Sequence, residues 1–108
     1  MDIQLKCGLL EICVLAALWK EDSYGYKIIK DIESVIEISE STLYPILRRL
    51  ENNSLLSVYT IEYQGRLRKY YQLTPSGRQR VHDFQKEWQQ MTNVYNFISQ
   101  TTGDDCHE

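Results

Sequence analysis

One run, Ser41-Thr-Leu-Tyr-Pro-Ile-Leu-Arg-Arg-Leu-Glu51, constrains the fold more than any other part of the chain. Wound as a helix, it sends Leu43, Ile46, Leu47 and Leu50 to one side, at the three- and four-residue spacing of a buried stripe. The opposite side carries Ser41, Pro45, Arg48 and Asn52, with Thr42 at the leading end and Tyr44 and Arg49 on the flanks. Such a segment must lie on a core with its polar side outward. That side holds two guanidiniums, several hydroxyls and no carboxylate at its centre. Arginine pairs bidentately with phosphate and with guanine edges, and Ser and Tyr hydroxyls reach phosphate oxygens. Taken alone, the pattern also fits a solvated helix face with two surface arginines.

The next segment decides between these readings. Residues 55–63 and 67–73 are rich in β-branched and aromatic side chains. Between them lies Gln64-Gly65-Arg66, where Gly65 supplies the positive φ of a tight turn. In the second strand Leu67, Lys69, Tyr71 and Leu73 share one face, and Arg66, Arg68, Tyr70 and Gln72 the other. Arg66, Arg68 and Lys69 therefore crowd the hairpin tip, where an anion would relieve their repulsion. A basic tip that only keeps the hairpin soluble is the plainer reading. A short helix with a cationic outer face, followed at once by a basic hairpin, is how a winged helix-turn-helix meets DNA.

The sequence here resembles a known family. Thr42-Leu-Tyr-Pro-Ile-Leu-Arg-Arg-Leu-Glu51, followed by Gly65-Arg-Leu-Arg-Lys-Tyr-Tyr-Gln-Leu-Thr-Pro-Ser-Gly77, is similar to the paired signature of the PadR transcriptional regulators. Gly8-Leu-Leu-Glu-Ile-Cys-Val-Leu-Ala-Ala-Leu18 and Tyr24-Gly-Tyr-Lys-Ile-Ile29 match that family's opening helices. The resemblance spans about residues 5–98, in family order. It implies an α+β, mostly helical fold: a winged helix-turn-helix with a long C-terminal dimerisation helix, in the family's smaller class. It also implies a homodimeric repressor. Some relatives hold flat aromatic ligands between their C-terminal helices with a Trp, and Trp88 stands at the matching position. Two departures are visible. The segment between the second and third helices is a few residues short, and so is the wing.

A chain of 108 residues buries roughly two thirds of its unfolded surface, so dimerisation would add needed stability. No apolar run approaches 18 residues, so no membrane-spanning segment is expected. The apolar stretch from Leu9 to Leu18 contains Glu11 and does not read as a signal peptide. Three cysteines without ligand spacing point to a reducing, cytoplasmic compartment. A net charge of −3 looks wrong for a DNA-binding protein until it is divided by region. Residues 1–40 carry four Lys against eight acids; residues 41–80 carry seven Lys plus Arg against two; residues 81–108 carry one Lys against five. The positive charge is thus confined to the proposed helix and wing.

The other elements follow in outline. Residues 5–20 read as a first helix with Leu9, Ile12, Cys13, Ala16 and Ala17 inward. Asp22 or Ser23 can cap a second helix, which runs to about Ser34 with Tyr26, Ile29 and Ile32 on its apolar side. Val35-Ile-Glu-Ile38 favours a short strand beside the wing. The recognition helix begins between Ser39 and Thr42, and Pro45 favours the later start because proline fits the first turn without losing a bond. Residues 1–74 form the reading domain, residues 75–100 a helix capped by Thr74 with Pro75 in its first turn, and residues 101–108 a frayed tail.

In that last helix Val81, Phe84, Trp88, Met91, Tyr95 and Ile98 follow alternating spacings of three and four, a heptad stripe. The stripe either packs against a partner subunit or folds back on the first helix of its own chain. Phe84, Trp88, Met91 and Tyr95, doubled by two-fold symmetry, would offer a slot for a planar aromatic effector; filling the interface is the plainer role. No catalytic set, metal site or cofactor motif is present. His82 and His107 lack ligand spacing, and Asp104-Asp-Cys-His-Glu108 has no supporting shell. The expected function is sequence-specific, operator-binding transcriptional regulation. A winged-helix protein-interaction module and a thiol redox sensor using Cys7 or Cys13 are the alternatives.

Overall fold

The computed structural model describes the backbone of residues 1–106 and the side-chain surroundings of residues 1–103. The first helix, α1, spans Ile3–Ala17. It starts at Asp2, whose carboxylate accepts the Leu5 amide at 3.1 Å. It ends three residues before the expected Lys20, because the Leu18 and Trp19 amides close a tighter last turn on the Leu15 and Ala16 carbonyls. Its buried side chains are Leu10, Ile12, Val14 and Leu15, joined by Leu18. Of the five residues expected inward, Ile12 is buried, Leu9, Cys13 and Ala17 are half-buried, and Ala16 is exposed. The physical reason is that α1 is apolar nearly all round, so periodicity alone cannot set the phase of its buried face.

The second helix, α2 (Gly25–Ile32), begins after an extended Tyr24 with no side-chain cap. Asp22 and Ser23 do not cap it. Ser23 is instead a one-residue strand: its amide donates to the Tyr71 carbonyl at 3.1 Å and its carbonyl accepts the Tyr71 amide at 2.7 Å. Ile28 and Ile32 fill the core and Ile29 packs against it half-buried, as expected of Ile29 and Ile32, whereas Tyr26 points to solvent and Ile28 takes the inward position instead. Residues 35–38 form no strand. The place beside the hairpin is already taken by Ser23.

The third helix, α3 (Glu40–Asn52), buries Leu43, Ile46, Leu47 and Leu50, as the spacing predicts. Its cap position is Ser39, so Pro45 lies in the second turn rather than the first and costs the helix one backbone bond. The helix closes with Ser54 at φ 62°; the Ser54 amide donates to Glu51 and the Leu55 amide to Leu50, both at 2.9 Å. This is the paired-bond C-terminal closure in which a left-handed residue turns the chain sharply. It delivers the chain straight into the hairpin.

Strands β1 (Leu56–Tyr63) and β2 (Arg66–Leu73) pair antiparallel from Leu56↔Leu73 to Tyr63↔Arg66. The turn is only Gln64 and Gly65, both at positive φ, so Arg66 belongs to the strand. Leu56, Tyr71 and Leu73 complete the core on one face.

The fourth helix, α4, runs over Pro75–Cys106. Thr74 caps it as expected, accepting the Gly77 amide at 3.0 Å, and its hydroxyl donates to the Ser54 carbonyl at 2.7 Å. The helix continues past residue 100, through the stretch expected as tail, as far as Cys106; residues 107 and 108 lie outside the described residues. Val81 is buried and Phe84 half-buried against the core, and beyond them α4 leaves the domain. The extents of 63 × 27 × 22 Å and the radius of gyration of 17.3 Å, against about 13 Å for a compact chain of this length, reflect that projection.

Candidate nucleic-acid interface

The core fixes which side of α3 faces out. With Leu43, Ile46, Leu47 and Leu50 inward, Ser41, Thr42, Tyr44 and Arg48 are exposed. At the leading end the Ser39 hydroxyl lies 3.0 Å from that of Ser41 and 3.2 Å from that of Thr42. The Tyr44 ring packs over the start of α2, where a Cβ on Gly25 would come within 2.6 Å of the Tyr44 hydroxyl and oblige that ring to shift. Arg49, also exposed, is tied within the fold. Its Nε donates to Glu11 Oε1 at 2.8 Å, tying α3 to α1.

On the wing, Arg66 and Lys69 are exposed and Arg68 is half-buried. Arg68 and Arg66 stand on the face that also carries Tyr59, Ile61, Tyr63 and Tyr70, while Lys69 stands on the other. The Arg68 Cζ lies 4.2 Å from the ring centres of both Tyr24 and Tyr63. Hydrogen bonding to the Tyr70 hydroxyl pushes the Arg68 guanidinium up, so it stays cationic throughout. Further along this face Tyr70 meets Tyr24 edge-on at 5.5 Å and stacks on Tyr59 at 5.7 Å. The Tyr59 hydroxyl donates to Asp22 at 2.5 Å, and that bond is the main reason its acidity is pushed to about 12.

Between α3, the start of α2 and the wing lies an open cleft of about 820 Å³. Tyr44, Tyr24, Tyr26 and Tyr63 line it with Arg66, Arg68 and Lys69, and no carboxylate does. Tyr71 borders it from the core side, and burial pushes its phenol up. Sequence reasoning missed Tyr24, Tyr26 and Tyr63 as part of this surface. Their signal was local, since three tyrosines flank the helix start and the turn, but only the Ser23 bridge brings the two segments together.

Three of the cations are held in ion pairs within the fold. Lys27 is paired with Glu21 and Asp31 at 3.2 and 3.4 Å, Lys30 with Glu33 at 3.6 Å, and Arg49 with Glu11. Among the described residues, Arg48, Arg66, Arg68 and Lys69 form no ion pair, and neither do Lys6, Lys20, Arg78, Arg80 and Lys86; what sets the wing cations apart is that they share a cleft with no carboxylate.

The α4 stripe is uncovered beyond Phe84: Trp88, Met91, Tyr95 and Ile98 are 48, 55, 66 and 52 % exposed. Phe84 and Trp88 stack at 5.9 Å. A shallow apolar hollow of about 500 Å³ lies further along, lined by Met91, Val94, Tyr95 and Ile98 with Glu87 and Gln90; Phe84 and Trp88 do not border it. Cys7 is exposed and Cys13 half-buried, and burial pushes the Cys13 thiol up, away from the reactive thiolate. His82 meets the Trp19 ring edge-on at 5.5 Å. No three potential metal ligands gather among the described residues, and the side chains of residues 104–108 lie outside them.

Comparison with known proteins agrees with this geometry. The chain is similar to the Streptococcus mutans protein smu.1704, at 46% identity and a TM-score of 0.77, over 87% of this chain and 89% of that one. A PadR-like transcription factor from Bacteroides fragilis is 38% identical with a TM-score of 0.80, over 88% and 94%. The Bacillus subtilis PadR structure in complex with operator DNA is 28% identical with a TM-score of 0.65, over 70% of this chain and 45% of that one. The model of the transcriptional regulator PadR-like family matches residues 14–83. The chain belongs to the PadR-like family of transcriptional regulators.

Proposed function

We propose that this regulator works as a homodimeric repressor that reads a specific operator with α3 and holds the duplex backbone with the wing. The observation that carries the reading is a cleft lined by Arg66, Arg68 and Lys69 and by no carboxylate, with Arg48 exposed and unpaired on the outer side of α3. Unpaired cations held at fixed spacing beside tyrosine hydroxyls are a backbone-positioning surface, and Arg48 at the outer centre of α3 is placed to meet a base edge. The likeness to a PadR bound to operator DNA supports the same use of the surface. Exposed Ser41, Thr42 and Tyr44 supply hydroxyls to phosphate oxygens.

The uncovered Trp88, Met91, Tyr95 and Ile98 stripe supports dimerisation through α4. A heptad row half exposed along a projecting helix is satisfied by a second copy related by a two-fold axis. In this reading α4 sets the separation of the two heads. A planar aromatic compound stacked at Phe84 and Trp88 would shift that separation and release DNA. Titration of duplex DNA across a salt series tests the central reading. Six wing cations per dimer, each meeting one phosphate, give a log–log slope of about −5. Binding that is absent at low salt would favour a protein-interaction module instead.

A further inference from the structure

Resting on the reading of the wing as a DNA contact, we infer that Tyr24 and Tyr63 are positioning residues that hold Arg68 ready for the duplex. Three elements converge on this side chain. Tyr63 comes from β1, along one edge of β2. Tyr24 follows the Ser23 bridge, along the other edge. Both rings meet the Arg68 Cζ at 4.2 Å, and Tyr70, the next residue on the same face, supports the Tyr24 ring edge-on at 5.5 Å. Arg66, one register step nearer the tip, has no ring over it among the described residues and is exposed.

A guanidinium is planar and its N–H donors lie in that plane, whereas aromatic faces engage the plane itself. Rings packed over the Arg68 Cζ therefore hold the guanidinium in place, and the Tyr70 hydroxyl takes one of its donors while others remain for a phosphate. The cleft lies on that side, since Tyr24, Tyr63 and Arg68 all line it. A phosphate entering there meets a donor fork already fixed, and the rotamer freedom usually lost on binding has been lost in advance. The tyrosines thus act through Arg68 and need not touch DNA. The single-residue strand at Ser23 acquires a purpose as well. It carries Tyr24 to the wing, so that the arginine is braced by the helical body and not only by its own hairpin.

The test uses the full chain and a mixed-sequence duplex of roughly 20 base pairs. Arg68→Ala should weaken binding and reduce the salt slope by about one per subunit. Tyr63→Leu keeps the charge and the apolar bulk but removes the ring. It should weaken binding roughly threefold to tenfold, the loss expected from freeing one long side chain, with the salt slope unchanged. Tyr63→Phe should bind as the parent does. In the Arg68→Ala background Tyr63→Leu should have no further effect. Tyr24→Leu should behave likewise, and Tyr63→Leu, which lies at the exposed tip, covers the case in which loss of Tyr24 disturbs the fold. Equal losses from Tyr63→Leu with and without Arg68, or no loss at all, would overturn the positioning role while leaving the wing contact standing. An Arg68→Ala protein that binds with parental affinity and slope would overturn the wing contact itself.

Discussion

Arg49 shows that a side chain on the flank of a cationic helix face can also tie that helix to its neighbour. Its position flanks the outer face of α3, yet its Nε is 2.8 Å from Glu11 Oε1. Arg48, one residue earlier, has no such partner among the described residues. The two arginines should therefore separate cleanly in solution. Arg48→Ala is expected to weaken specific operator binding by about 1–3 kcal/mol if it meets a base edge. Arg49→Ala should change thermal stability by no more than about 1 kcal/mol, the worth of an exposed pair, and leave specificity intact. Operator titrations beside melting curves check both. Tyr59 carries a pH signature. Its folded acidity is pushed to about 12, from the 10.0 of a free phenol, chiefly by the bond to Asp22. A group whose folded pKa is raised stabilises fully below its unfolded value and loses that contribution as pH climbs through the folded one. The wing brace is expected to hold up to about pH 10 and to fail between there and about 12. Phenolate absorbance followed through alkaline titration should lose one late-ionising tyrosine in Tyr59→Phe, with the buried Tyr71 still ionising late; an unchanged late amplitude in that variant would contradict the assignment to Tyr59.

The elements were legible in the sequence where one physical signal dominated. The α3 stripe, the hairpin and the α4 heptad each alternate apolar and polar residues sharply, and the two helices and the hairpin form where they were read, with their ends shifted by a few residues. The α1 phase was not legible, because a helix apolar nearly all round offers no contrast for periodicity to register. The third strand was hidden for another reason. It is one residue, Ser23, recognised only by its bonds to Tyr71, whereas residues 35–38 have strand composition but pair with no strand, the bridge to β2 being made by Ser23. Pro45 pointed to a later helix start, but the hydroxyls around Ser39 and burial of Leu43 outweigh one missing backbone bond. The hairpin turn offers a direct check. Gln64 and Gly65 both have positive φ, the geometry that favours Asn-Gly. Gln64→Asn should stabilise the fold by roughly 0.5 kcal/mol, since Asn tolerates the left-handed region better than Gln. A lowered melting temperature would contradict that turn assignment.

Taken whole, the molecule divides its surface by charge and by exposure. Net positive charge is confined to residues 41–80, residues 1–40 and 81–108 are each net acidic in sequence, and α4 carries an apolar face away from the core. Replacing Phe84 and Met91 by Glu should yield monomers in sedimentation with little operator affinity, because charge would enter a desolvated seam. A double variant that sediments as a dimer would move the interface off this stripe. A two-fold dimer also fixes the operator geometry, with half-sites about 10 base pairs, or a multiple of that, apart on a pseudo-palindrome. A planar aromatic effector should quench Trp88 and weaken DNA binding together. Quenching that survives Trp88→Phe would assign it to Trp19 instead. The most direct measurement is duplex affinity over a salt series for the parent protein and for the Arg48→Ala, Arg66→Ala double variant. The parent should bind steeply, with a slope near −5, and the double variant should lose specific binding and flatten that slope by about one per subunit. Unchanged affinity and slope in the double variant, with its circular dichroism intact, would contradict the assignment of this face to DNA.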